Sequence, residues 1–348
     1  MIRKSTISLK FANTGKLEKV KEIAEEYQSV VNLFIDSLWE QRQFSGNFVK
    51  DTTVESWLSA RLRQAAAKQA LSIVKSQRKK KKKTKPVLNR VVMELDSRFV
   101  DIKQAVNSFD IWIKLSSIGN KITINLPSQK HFHFNHFIEA GWIIKKSIRL
   151  RITENGYFVD IFFEKPAPPI KTSGGQKAID IGYKKLIVSS DGEFIGDNVI
   201  YEKIARKKQG SKAFKRALIE RNELVNVSCK ALDLDNVKEL FAEDLKNVKH
   251  KTKGKICKKF NNKLQRWTYR GVLDKLSMLC EETGVIFKKV PSQYTSQRCS
   301  QCGRICKSNR RGETYKCSCG LLMDSDLNAS KNILFVGAYG LDALQPVL

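Results

Sequence analysis

Acidic residues are scarce in this chain: 35 Asp and Glu stand against 64 Lys and Arg among 348 residues, a formal net charge of +29. Such a surface repels itself unless a polyanion shares the charge, which argues against a merely soluble basic protein and toward nucleic acid. Long apolar runs are absent, as is a signal-peptide pattern at the start. A bilayer span and secretion are therefore not expected, and the anticipated setting is intracellular, in the cytoplasm, with no membrane partner. In that reducing setting disulfides do not persist. Of eight cysteines, five fall between 299 and 319, while Cys229, Cys257 and Cys280 read as small buried hydrophobes. Histidine numbers only four, three of them in "HFHFNHF" (131–137). On an extended strand His131 and His133 would share one face and Phe132 and Phe134 the other. With no carboxylate or cysteine nearby, this stretch reads as a surface or RNA-contacting strand rather than a metal site. Proline numbers seven, three of them in "EKPAPPIKTSGGQ" (164–176), a linker by composition.

What is present divides at that linker. "MIRKSTISLKF" alternates as a strand. Residues 17–42 carry Leu17, Val20, Ile23, Ala24, Tyr27, Val31, Phe34 and Leu38 at helical spacing. A second helix is predicted from about Val54 to Lys75, running into the basic block "KSQRKKKKKTKP", which cannot pack and should be mobile or pressed against phosphate. From about 90 to 165 the period changes to two. There "ITINLP", "IRLRIT" and "YFVDIFFE" are strand-like, and "ENG" makes a hairpin turn.

After the linker, "QKAIDIGYKKLIVSSDGEFIG" (176–196) predicts three strands separated by turns. Asp180 lies within an apolar strand, where a carboxylate is costly unless it is paired or bound to metal. A helix is expected over about 205–232, with Leu218, Val225, Cys229 and Leu232 toward a core. The strand "VKELFAEDLKN" (237–247) follows, carrying Glu243-Asp244, then a helix near 262–283 and the strand "VIFKKV" (285–290). "MDSDLNASKNILF" (323–335) reads as a capped helix start. The order β-β-β-α-β-α-β-insert-α, with acids on the first strand, a later strand and the last helix, is that of an RNase H-like α/β fold. There, carboxylates remote in sequence converge to hold two Mg²⁺ ions about 4 Å apart. The ligand roles fall to Asp180, Glu243 and Asp326. Within "DSD" the first aspartate is the cap, and the second is preferred as ligand.

Cys299-x₂-Cys302 and Cys317-x-Cys319 supply four thiolates on two turns, each pair followed by a glycine, as zinc knuckles require. Four soft ligands fit Zn²⁺ and not Mg²⁺, and with no position left for water the ion would be structural. Cys306 is a spare candidate. This ribbon interrupts the fold just before Asp326, and its loop "KSNRRGETYK" (307–316) offers a basic surface to nucleic acid.

The stretches "AIDIG", "FAEDLKN", "YTSQRCSQCG", "YKCSCG" and "MDSDLNASKNI" closely resemble the RuvC-like and zinc-ribbon signatures of TnpB proteins. Those proteins are encoded by insertion sequences and related to compact type V CRISPR effector nucleases. "NNKLQRWTYRGVLDKL" (261–276) and "STISLKF" are also similar to TnpB, and the specific part of the resemblance covers 176–335. The resemblance implies an RNA-guided DNA endonuclease associated with a transposable element. Its partners would be a guide RNA and target double-stranded DNA with a short flanking motif, and Mn²⁺ would be able to replace Mg²⁺. It also implies a wedge-like β-barrel (1–12 and 90–165) interrupted by a helical recognition lobe (13–89). A RuvC-like nuclease domain (166–294 and 321–348) would hold the zinc-ribbon insertion (295–320). Carried over by position, the catalytic triad falls on Asp180, Glu243 and Asp326, and the zinc ligands on Cys299, Cys302, Cys317 and Cys319. The C-x-C pair is tighter than the family's C-x₂-C, and the recognition region is short. Two other activities fit similar residues: an RNA-guided DNA-binding repressor without cleavage, and a DNA transposase.

Overall fold

A computed structural model describes residues 1–41, 53–81, 83–106, 108–119, 121–197, 199–246 and 257–344. Arg42, Lys82 and Asn247, which belong to three of the stretches read above, lie outside those residues. The chain divides into two compact units, Met1–Pro166 and Ala167–Leu348.

In the first unit, β1 (Ile2–Ser8), β2 (Val92–Leu95), β6 (Ile143–Thr153) and β7 (Gly156–Glu164) form an antiparallel sheet in the order β1-β7-β6-β2. The strands β3 (Val100–Val106), β4 (Phe109–Leu115) and β5 (Ile124–Ser128) form a second. Against them lie α1 (Thr14–Glu40) and α2 (Ala60–Arg78), packed on each other through apolar faces of helical period. The second helix starts later than its periodicity suggests, because Ser59 caps it by accepting a hydrogen bond from the Leu62 amide. The basic block is helical to Arg78, and its described residues beyond that are irregular, with Lys85 paired to Asp36 at 2.6 Å.

The histidine-rich stretch is a helix, α3 (Phe132–Glu139), and not a strand. Phe134 and Phe137, three residues apart, both turn under the helix. Phe134 packs at 5.0 Å from the Phe163 ring, and Phe137 lies 4.8 Å from Phe163 and 5.4 Å from Trp142. A strand would have put Phe132 on the face of Phe134; instead Phe132 is 88% exposed.

The second unit is built on a mixed five-stranded sheet, β10-β9-β8-β11-β12. Its strands are β8 (Gly175–Asp180), β9 (Ile187–Ser189), β10 (Phe194–Ile195), β11 (Val237–Glu243) and β12 (Ile286–Val290). The first three are antiparallel, while β8, β11 and β12 run parallel. Around the helix expected over 205–232 the structure has two: a short α4 (Val199–Ala205), which ends where it was to begin, and α5 (Lys212–Ala231), the helix itself. Gly210 turns the chain at positive φ between them, and Ser211 caps the second. The helix near 262–283 is likewise two, α6 (Lys258–Arg266) and α7 (Tyr269–Thr283).

Alternation along the strands builds a core on each face of this sheet. Ile179, Leu240 and Ala242 pack with Val225, Cys229, Val272 and Leu276 of α5 and α7. Ala178 and Phe241 face the other way, onto Ile333 and Val336 of α8 (Ser325–Tyr339). Burial pushes the thiols of Cys229 and Cys280 up to about 12, as expected of inert core cysteines, whereas Cys257 is exposed. Between β12 and α8 the chain makes a small three-stranded ribbon of β13 (Arg310–Arg311), β14 (Thr314–Lys316) and β15 (Leu322–Asp324). No helix is long and apolar enough to cross a membrane among the described residues.

Candidate active site

The parallel pairing of β8 and β11 brings two acids to one sheet edge. Ala242 pairs with Ile179, and Glu243 and Asp180 follow directly at the carboxyl ends of their strands. Asp326 reaches the same place from the first turn of α8. All three line one cavity of about 660 Å³. Asp180 and Glu243 are half-buried and Asp326 is buried. Gly182 keeps the approach open: a Cβ there would stand 2.5 Å from the Lys185 carbonyl oxygen and 3.7 Å from Asp326 Oδ2.

The electrostatics are those of crowded like charges with little water. Burial, then the charges of Glu243 and Asp326, hold the Asp180 carboxyl well above its ordinary range. Burial also raises Glu243, against a hydrogen bond donated by the buried Thr295 hydroxyl and the nearby charge of Arg310. The Arg310 guanidinium donates to Asp326 Oδ1 at 2.8 Å. In the "DSD" stretch the two aspartates divide their work. Asp324 accepts from the amides of Asp326 (3.0 Å) and Leu327 (3.2 Å) as the helix cap and pairs with Lys185, which leaves Asp326 to face the cavity.

The cysteine cluster is equally well built. Cys299, Cys302, Cys317 and Cys319 hold their sulfurs within 4.8 Å of one another. Two of the separations are 3.7 Å (Cys299 to Cys319) and 3.6 Å (Cys302 to Cys317). Tetrahedral Zn–S bonds of about 2.3 Å require roughly 3.8 Å between sulfurs, so the set fits that ion. Gly303 and Gly320, both at positive φ, make the knuckle turns. Cys306 stays out of the set, its thiol 3.1 Å from the Ser308 hydroxyl. Among the described residues this is the one group of three or more Cys, His, Asp or Glu side chains gathered as if around a single ion. One small ion needs so tight a set, whereas two ions about 4 Å apart share a wider one.

Several residues at this site were not singled out from the sequence. Arg310 belongs to the loop read as a nucleic-acid surface, yet it is engaged with Asp326. Asn328 and Asn332, one turn apart on α8, clamp the first knuckle. Asn332 Nδ2 donates to the carbonyls of Thr295 (3.0 Å) and Arg298 (2.7 Å), and Asn328 Oδ1 accepts from the Ser300 amide at 2.9 Å. Thr295, held by that clamp, is the residue that bonds Glu243. The ribbon, the last helix and the acid on β11 are thus one hydrogen-bonded assembly. The sequence signal for the clamp was the i, i+4 asparagine spacing inside an otherwise amphipathic helix.

Residues 269–333 match the Cas12f1-like TNB domain. The chain matches that domain from the start of α7 into α8. It is 42% identical over 93 residues to the CRISPR-associated endodeoxyribonuclease Cas12f1 of Sulfoacidibacillus thermotolerans. That match takes in 26% of this chain and 20% of the relative. It is also 38% identical over 55 residues to the putative transposase A625R of Paramecium bursaria Chlorella virus 1, across 16% of this chain and 13% of that one. The chain thus matches only a small part of the length of these curated relatives. Its fold is similar over a far wider span to the protein in the cryo-EM structure of a Cas12f1-sgRNA-target DNA complex. There the TM-score is 0.64 at 14% identity, covering 92% of this chain and 83% of that one. The TnpB-like resemblance read from the motifs holds, with a mixed α/β fold like that of a compact type V effector.

Proposed function

We propose that this chain is an RNA-guided DNA endonuclease whose second unit is an RNase H-like, RuvC-type nuclease. The observation that carries the proposal is the meeting of Asp180, Glu243 and Asp326, from three separate elements, around one cavity. A half-buried cluster of carboxylates, two of them pushed toward their protonated forms, is costly unless a cation shares the charge. The donor set is all oxygen, which suits Mg²⁺, with Mn²⁺ able to replace it. Asp180, Glu243 and Asp326 would hold two ions, whose chemistry is to activate water and stabilise the leaving oxygen of a phosphodiester. The chain's own residues do the rest. Thr295 fixes the Glu243 carboxylate, and Asp324 and Lys185 fix the start of α8 so that Asp326 faces inward. Arg310 supplies a positive charge at the cavity to an approaching phosphate. The four-cysteine site would hold one structural Zn²⁺.

The first unit, in this reading, is the wedge-like barrel with its helical recognition lobe. The partners are a guide RNA and target DNA, as in the Cas12f1 complex of similar fold, and the net charge of +29 suits both. Purified protein should carry a structured RNA, and with it should cut a matching plasmid only when Mg²⁺ or Mn²⁺ is added. Guide-independent joining of DNA ends would instead favour transposition, the activity that the viral relative's name suggests.

The acids also give a pH dependence. The carboxyls of Asp180 and Glu243 are raised in the folded state, so the folded chain binds more protons than the unfolded one. Their contribution to stability is full below the ordinary carboxylate range and is lost as pH rises through the raised values. Metal binding needs the deprotonated acids and opposes that loss. Added Mg²⁺ should therefore raise Tm more at about pH 8, far above the ordinary carboxylate range, than at about pH 5, close to it. A thermal melt with and without Mg²⁺ at both values checks this, and an equal gain would contradict it.

A further inference from the structure

The acids occupy only part of their cavity. Another part is lined by Trp267, Tyr183 and Leu264. Trp267 stands in the break between α6 and α7, where part of its ring packs on the neighbouring cores, 4.9 Å from the Tyr269 ring, and part lines the site. Its one polar atom is already used: the indole Nε1 donates to the Gly182 carbonyl at 2.9 Å, two residues after Asp180. That bond fixes the ring beside the acids and leaves a ligand only its apolar surface to touch. Tyr183 is fixed as well, its ring stacked on Tyr201 at 5.0 Å and 23°. Both Trp267 and Tyr183 remain half-buried. Beyond their packing on the cores, these side chains leave an apolar wall open to the cavity beside the acids. Flat, apolar partners are what it suits.

We infer that Trp267, supported by Tyr183 and Leu264, is a stacking wall for the nucleobase next to the scissile phosphate. The inference rests on the nuclease reading above and narrows its substrate. A base within a duplex has both faces covered by its neighbours, so the wall receives only a base that has left the stack. The site therefore takes a single-stranded or locally melted strand. Because every base has a π-face, the preference is for an unstacked base and not for a particular sequence.

The test uses the full chain with its copurifying RNA. In the unmodified protein, replacing the nucleotide beside the cut by an abasic sugar should raise KM roughly tenfold, with kcat changed less. Trp267→Leu should raise KM similarly with the ordinary strand and show no further loss with the abasic one, while Trp267→Phe should restore most of the affinity. A merely structural tryptophan would weaken both substrates alike, and that result would overturn the inference. So would equal KM values for abasic and ordinary strands in the unmodified chain. A second readout needs no cleavage. A single strand carrying 2-aminopurine at that position, bound to an Asp180→Asn chain, should lose fluorescence by stacking, and the loss should vanish when Trp267→Leu is added. Unchanged emission on binding would reject the wall. If the quench occurs but no DNA is ever cut, the wall stands and the nuclease reading fails.

Discussion

Asp180→Asn should lower cleavage by roughly a thousandfold or more while leaving the affinity for guide and target within a few-fold of the unmodified protein. Asparagine keeps the shape and one acceptor oxygen but removes the charge on which a divalent cation depends. The carboxylate it replaces ends β8 beside Glu243 and lines the same cavity as Asp326. The same change relieves repulsion. Asp180 is the acid whose ionisation is most opposed by burial and by the other two, so the metal-free variant should melt no lower than the parent and gain less from added Mg²⁺. Loss of activity without loss of stability separates a catalytic carboxylate from a structural one. Cleavage surviving at more than about a tenth of the parent rate would remove Asp180 from the site.

How much of this was readable in advance depends on whether local pattern or distant partners decided the outcome. The strands 237–243 and 286–290 and the acid at the end of the first were legible, because apolar alternation closing on a carboxylate is a local signal. The cysteine knuckles were legible because ligand spacing is local too. "HFHFNHF" misled because its phenylalanines fit both a period of two and an i, i+3 pair. The rings that settle the choice, Phe163 and Trp142, are outside the stretch. Arg310 and Arg311 are indistinguishable as letters, and only the ribbon's fold sends the first to Asp326. The break at Trp267 was hidden because helical periodicity runs on through it. What it makes possible, a bond to the Gly182 carbonyl, joins residues far apart in sequence. Local chemistry pointed to the candidate ligands, and tertiary context decided the residues that orient and surround them.

Removing zinc should disable the site without unfolding the sheet. The ribbon's strands are two and three residues long, and Tyr315 is its one large, fully buried hydrophobic side chain, far too little apolar burial to hold it without an ion. Structural zinc sites of this type contribute about 10–16 kcal/mol of apparent binding free energy, so its loss would release the knuckles. The effect then travels along named bonds. Without the first knuckle, Asn328 and Asn332 lose the backbone groups they clamp, Thr295 no longer holds Glu243, and Arg310 no longer meets Asp326. The β8–β12 sheet keeps both of its own cores. Elemental analysis should give close to one zinc per chain, and Cys317→Ser should lower that content and abolish cleavage. Hydrogen exchange should rise across 295–324 while β8 and β11 stay protected. Cys306→Ser is the contrasting change, because that thiol stands outside the cluster, and it should leave zinc content and cleavage as they were. A Cys317→Ser protein that cuts normally would break the link between ribbon and acids, whereas one that loses zinc and cleavage together, with the sheet intact, is what those bonds require.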